Sequence, residues 1–85
     1  KMKKSEIKIG GIYTNGKGRI RQVLDRTDDG KYKLYDGQSD ADCVLYSIVN
    51  DGTKANKLCG TTGIMTATSF ASWAKEALKD GSTAD

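Results

Sequence analysis

The stretch Gly11-Ile12-Tyr13-Thr14-Asn15-Gly16-Lys17-Gly18-Arg19-Ile20-Arg21-Gln22-Val23-Leu24 decides how this chain folds. It reads as two short apolar strands joined by a glycine-rich turn, with basic side chains at the turn and just beyond it. Asn15-Gly16 is a strong hairpin signal because both residues tolerate the positive φ of a tight turn. Gly18 leaves room for a longer loop or a bulge. In the second strand, strict alternation pairs Ile20 with Leu24 and leaves Val23 outside. An extra residue near Arg21-Gln22 would bring Ile20 and Val23 to one face, as a sharply bent sheet needs. Either register puts Arg19 and Arg21 on a common side, away from Ile20.

Upstream, residues 6–9 alternate and place Ile7 and Ile9 on one face of a short strand, which Gly10-Gly11 bends or breaks. Downstream, Asp28-Asp29-Gly30 signals a turn into residues 31–36. That segment alternates, with Tyr32 and Leu34 facing one way and Lys31, Lys33 and Tyr35 the other. Residues 36–42 read as an acidic loop. The most apolar run, residues 43–49, is short and β-branched, which predicts a central strand covered on both faces. Asn50-Asp51-Gly52 is a further turn, residues 53–59 a loop or weak edge strand, and residues 61–66 a short strand carrying Ile64 and Met65.

One helix is expected, capped by Thr68 or Ser69. Phe70, Trp73, Ala74, Ala77 and Leu78 fall at helical spacing on one stripe, with Lys75, Glu76 and Lys79 opposite and Gly81 as the stop. Phe70, Trp73 and Leu78 are expected to plug the sheet. The predicted class is mainly β (α+β): a small, strongly bent antiparallel sheet or Src-homology-3-like barrel of about five strands with one C-terminal α-helix. An open antiparallel sheet packed on the helix is the alternative. The domain is expected over residues 6–80, with flexible tails at 1–5 and 81–85, and with Met2 as the natural start behind Lys1.

At 85 residues this is one domain, near the lower end of what folds without a metal or a disulfide. A thin core commits most large apolar residues to packing, which leaves loops, edges and shallow grooves for function. Cys43 and Cys59 with no histidine cannot make the usual four-ligand zinc site, and no cofactor is expected. The missing histidine also removes the commonest general base, and neither cysteine has an evident activating partner, so no catalytic residue is assigned. Asp36, Asp40 and Asp42 lack the order of a calcium-binding loop. No apolar run approaches the ~20 residues of a membrane helix. No signal-peptide pattern is present either, so the cytoplasm is the expected compartment and no membrane partner is expected.

Charge is uneven. Residues 1–33 hold ten Lys or Arg against four acids, a net +6, while residues 34–85 hold four against seven, a net −3. If the second and third strands pair across Asp28-Asp29-Gly30, Arg19, Arg21, Lys31 and Lys33 form a basic patch beside Tyr35, with Lys17 at the neighbouring turn. Cations interleaved with an aromatic suit a nucleic-acid backbone and an unstacked base, or an acidic protein, and a plain solvated sheet face has the same composition. Gly16-Lys17-Gly18-Arg19 could present backbone N–H groups to a phosphate, but it lacks the spacing of a P-loop and precedes a strand.

Gly11-Ile12-Tyr13, the run from Gly18 to Leu24, Tyr46 and the closing Phe70-Ala71-Ser72-Trp73-Ala74-Lys75 resemble small uncharacterised proteins of bacteriophages and prophages. Those proteins share a G-x-x-Y opening, a basic strand with R-x-V and a final F-A-x-W-A helix. The resemblance spans residues 10–75 and implies a mobile-element origin; no site residues come with it. Together these readings lead to the expectation of a non-enzymatic binding protein, a phage-encoded inhibitor of a host defence protein. The alternatives are a nucleic-acid-binding module and a binder that sequesters a small signalling nucleotide. An exposed edge strand would also permit a homodimer.

Overall fold

The hairpin forms as its sequence requires. In the computed structural model, which describes residues 1–81, β1 (Ile12–Thr14) pairs antiparallel with β2 (Arg19–Thr27). Asn15 closes the turn: its Oδ1 accepts the N–H groups of Lys17 at 2.9 Å and Arg19 at 3.2 Å. This is the local chemistry that makes asparagine a turn residue. Gly16 has φ +78°, which a side chain would strain. The other strands are β3 (Cys43–Asp51), β4 (Thr62–Thr66) and β5 (Glu76–Lys79), with one helix, α1 (Ala67–Trp73), between β4 and β5. All neighbouring strands are antiparallel, in the order β4-β3-β2-β1-β5. The class is therefore the predicted small α+β one: five strands in a single sheet and one helix. Among the described residues, β4 and β5 are the two outer strands and share no ladder.

Four segments depart from their sequence patterns. Residues 6–9 are not a strand; Lys4–Glu6 is a 3-10 turn, and Ile7 drops directly into the core. The lead-in is tied down as well, because the Met2 N–H donates to the Ala71 carbonyl at 2.9 Å. Residues 31–36 alternate but join no ladder among the described residues; they lie in the loop 28–42, fastened to β2 by the Tyr32 hydroxyl donating to Asp25. The expected bulge near Arg21-Gln22 lies elsewhere: the β2–β3 register shifts at Leu24 on β2 and at Val49 on β3. Finally, the helix is shorter and earlier than its stripe suggests. Thr66, not Thr68 or Ser69, caps it, accepting the Ser69 N–H at 3.1 Å, and Ala74 is already extended. Lys75 N–H donates to the Thr14 carbonyl at 2.8 Å, and the chain runs on as β5 along the open edge of β1. An unsatisfied strand edge outweighed a coincidental helical period. Leu78 is consequently 54 % exposed and plugs nothing. Of the expected tail at 81–85, only Gly81 lies within the described residues.

The core lies on one face of the sheet, beneath α1 and the 3-10 turn. Tyr13, Val23, Val44 and Phe70 are fully buried there, with Ile7, Ala67, Ala71 and Ala74 around them. Tyr13 keeps its hydroxyl satisfied by accepting the Lys8 N–H at 2.7 Å and donating to the Glu6 carbonyl at 2.9 Å. The second face of the sheet is covered only at one end, by the loop 28–42. There the Tyr32 hydroxyl donates to Asp25 at 2.6 Å. β3 is thus an interior strand, but it is not buried on both faces: of its residues only Cys43 and Val44 are fully buried. Among the described residues, no helix is long and apolar enough to cross a membrane.

One ion pair knits three distant segments together. Arg26 on β2 grips Asp42 with two bonds, Nε to Oδ1 at 2.9 Å and Nη2 to Oδ2 at 2.7 Å. Its remaining nitrogen donates to the carbonyls of Lys4 and Ile7. Such planar, two-pronged pairing is what a guanidinium does and an ammonium cannot. The bonds from Arg26 hold the Asp42 carboxyl below its ordinary value.

Two measurements check this account. Phe70→Ala should cost about 3–5 kcal/mol in a denaturant titration, whereas Leu78→Ala should stay within about 0.5 kcal/mol. For Asp42, a depressed folded-state value means its contribution is present above the unfolded carboxylate value of about 3.9 and is lost as pH falls through the folded one. Asp42→Asn should therefore lose about 1–2 kcal/mol at neutral pH and decline less steeply than the wild type in an acid titration followed by circular dichroism.

Candidate functional site

The six basic and aromatic residues singled out in the sequence fall into two separate groups. Lys17 stands exposed at the hairpin turn and Arg19 opens β2 beside it. Lys31, Lys33 and Tyr35 lie on the loop 28–42, not on a strand paired with β2. Lys31 Nζ sits 3.9 Å from Asp25 and 5.2 Å over the Tyr32 ring. Asp25 is six positions along β2 from Arg19, about 20 Å at strand spacing. A continuous basic face does not form.

Arg21 lies against the aromatic part of the core. Register pairs Arg21 with Tyr13 and Val23 with Tyr46, so Arg21 points to the core face. Its guanidinium carbon stands 4.6 Å from the Tyr46 ring centre and 4.3 Å from that of Trp73. One N–H reaches Met65 Sδ at 3.1 Å. Burial, with the like charge of Arg19 in the same direction, lowers its affinity for its proton relative to an ordinary arginine. The cation thus roofs the aromatic cluster of Phe70, Trp73 and Tyr46. No local pattern announces this, because the rings come from β3 and α1, more than twenty positions away.

Apolar surface is exposed beside β4. Ile64 is 37 % exposed, and the loop 28–42 brings Leu34 (54 %) and Tyr35 (66 %) up beside it. Together with Met65, Thr66 and Gln38 they line an open recess of about 380 Å³. Gln38 shapes its floor. The buried amide accepts the Leu34 N–H at 2.9 Å and donates to the Asp40 carbonyl at 2.6 Å and to Cys43 Sγ at 3.4 Å. The sequence hinted at none of this, since glutamine in an acidic loop looks like solvent-facing polarity.

Next to the recess runs a strand edge that is unpaired among the described residues. The Ile48 N–H bonds the Thr61 carbonyl and the Ala67 N–H bonds the Asp42 carbonyl. Antiparallel ladders alternate, so residues 63 and 65 turn their backbone groups toward β3 while Thr62 and Ile64 turn theirs outward. An edge of this kind is a template for another extended chain. Loop 53–60, which precedes it, adds the exposed side chain of Leu58.

Groups suited to covalent chemistry are scattered. Cys43 is buried under Gln38, Cys59 is exposed on a loop, and among the described residues no cluster of three or more His, Cys, Asp or Glu could hold a metal ion. Comparison with protein-family models, with curated proteins and with solved structures finds no match.

If Arg21 is a roof over the aromatics, Arg21→Gln should lower stability by about 1–2 kcal/mol, the range of a partly desolvated cation–π contact. Lys31→Gln, at an exposed pair, should change it by less than about 0.5 kcal/mol. Thermal melts of the two variants check the contrast.

Proposed function

We propose that this chain is a non-enzymatic binding protein whose ligand is another protein, engaged along the open edge of β4. The observation that carries the reading is the pairing of an unsatisfied strand edge with an apolar recess at its side. Backbone groups of Thr62 and Ile64 call for an extended segment, and Leu34, Tyr35 and Met65 offer a seat for one of its apolar side chains. This is the division of labour in strand addition, where main-chain bonds supply affinity and side pockets supply specificity. Five residues of β4 make a short edge, so the recess has to contribute much of the discrimination.

The resemblance to phage and prophage proteins makes a bacterial host protein in the cytoplasm the proposed partner. Inhibition would follow from covering a surface rather than from chemistry. A nucleic acid or a small nucleotide is the less favoured ligand, because Lys31 and Lys33 stand on the loop 28–42 apart from Arg19 and no continuous basic face forms.

The test is capture from bacterial lysate by immobilised protein, run in parallel with Ile64→Lys and Lys17→Ala. Ile64 is partly exposed, so the lysine is tolerated by the fold while placing a charge in the recess. A partner retained by wild type and by Lys17→Ala but lost with Ile64→Lys is the expected result. Retention by Ile64→Lys, or recovery of nucleic acid or nucleotide in place of a protein, overturns the reading.

A further inference from the structure

Arg21 is a half-buried cation with no acidic partner among the described residues; the ion pairs present there involve Lys4, Arg26 and Lys31. Its neighbours are two aromatic rings and a thioether, which stabilise a positive charge without neutralising it. Two positions away on the same side of β2 stands a second guanidinium, Arg19. The two flank a recess of about 130 Å³ whose other walls are Ile48, Asn50, Asp51 and Leu58. We propose that this recess is an oxyanion subsite that takes a single carboxylate, the side chain of an acidic residue on a protein partner.

Two features choose a carboxylate over a phosphate. First, the recess already contains one negative charge. Asp51 is fixed in place and cannot swing across to neutralise Arg21: its Oδ1 accepts the Thr53 N–H and hydroxyl at 2.8 and 2.6 Å, and its Oδ2 accepts the Leu58 N–H at 3.1 Å. These bonds, with the charge of Arg19 adding to them, hold its carboxyl below its ordinary value. Two arginines and one aspartate leave a net single positive charge, which matches a monoanion. Second, Ile48 and Leu58 give apolar walls that suit the methylenes of an acidic side chain. The position fits the reading above. Ile48 lies opposite Thr61, so the recess opens beside the start of β4, while the apolar recess opens beside its end. A segment laid along β4 would carry an apolar residue at one end and an acidic one at the other.

This subsite rests on the protein-binding reading, but its test uses the isolated protein and needs no captured partner. Trp73 is the sole tryptophan, and the Arg21 guanidinium stands over its ring, so its fluorescence reports what reaches Arg21. At constant ionic strength the protein is titrated with a capped Glu-Glu-Glu tripeptide, its Gln-Gln-Gln counterpart, inorganic phosphate and a short oligothymidylate. The expected result is a saturable change with the acidic tripeptide only. Arg19→Gln, an exposed change that keeps the fold, should weaken it about tenfold. Arg21→Lys, which keeps the charge but loses the planar fork, should weaken it too. No saturation, or a response equal in Arg19→Gln, overturns the subsite. Stronger saturation by phosphate or by the oligothymidylate overturns the carboxylate assignment. A negative titration alongside loss of capture in Ile64→Lys would sink the subsite alone.

Discussion

The structure depends on one ring. Phe70 is fully buried and meets Tyr13 edge-on at 5.6 Å, Trp73 at 5.3 Å and Tyr46 at 6.0 Å. A helix of only seven residues cannot cover a five-stranded sheet by itself, so the core is concentrated where this ring descends between the strands. Much else is an accommodation to that cluster. Gly63 faces Tyr46 so closely that a Cβ there would lie 2.5 Å from its hydroxyl oxygen. Arg21 closes the top, where an aliphatic side chain would have left the indole and phenol faces to water. The indole N–H of Trp73 is buried without a hydrogen-bond partner among the described residues, a cost accepted at the edge of this packing.

Small size makes the remaining stability a matter of cross-links between distant segments. Arg26 joins the lead-in, β2 and the residue that precedes β3, and Gln38 pins the loop 28–42 to Cys43. Both are polar devices that replace apolar area the chain does not have. They also decide where the loop lies, and the loop in turn decides that Leu34 and Tyr35 stand beside Ile64. The proposed binding surface is thus a by-product of how the second face of the sheet is fastened.

Electrostatics follow the same division. Ten basic residues in the first 33 suggested a binding face, yet the sheet sorts them by task. Arg26 is consumed by Asp42, Arg21 lies over aromatic rings that leave its charge unneutralised, and Lys17 and Arg19 remain toward solvent at the hairpin end. A charge count describes the field a partner meets at a distance. It does not describe which cations are free to touch that partner.

Local chemistry was legible wherever one residue type decides the backbone. Asn15-Gly16 announced the turn, the β-branched run announced β3, Ile64 and Met65 marked β4, and the Phe70-Ala71 region marked a helix. Those signals depend on neighbours in sequence, which is why they survive without a fold. Residues 31–36 and 76–79 were misjudged for the opposite reason. The first has a strand's alternation but is fastened as a loop by side-chain bonds such as Tyr32 to Asp25, and the second has a helix's period but lies beside the open edge of β1. Hydrogen-bond demand from a distant strand outweighs a weak local preference. The same limit hid Arg21, Gln38 and Arg26, whose partners are brought near only by the register of β2 and β3. Strand content, turns and the class of fold belong to the sequence by itself; strand order, edges and the company each charge keeps were decided by tertiary pairing, because those are set by contacts between residues that no local pattern connects.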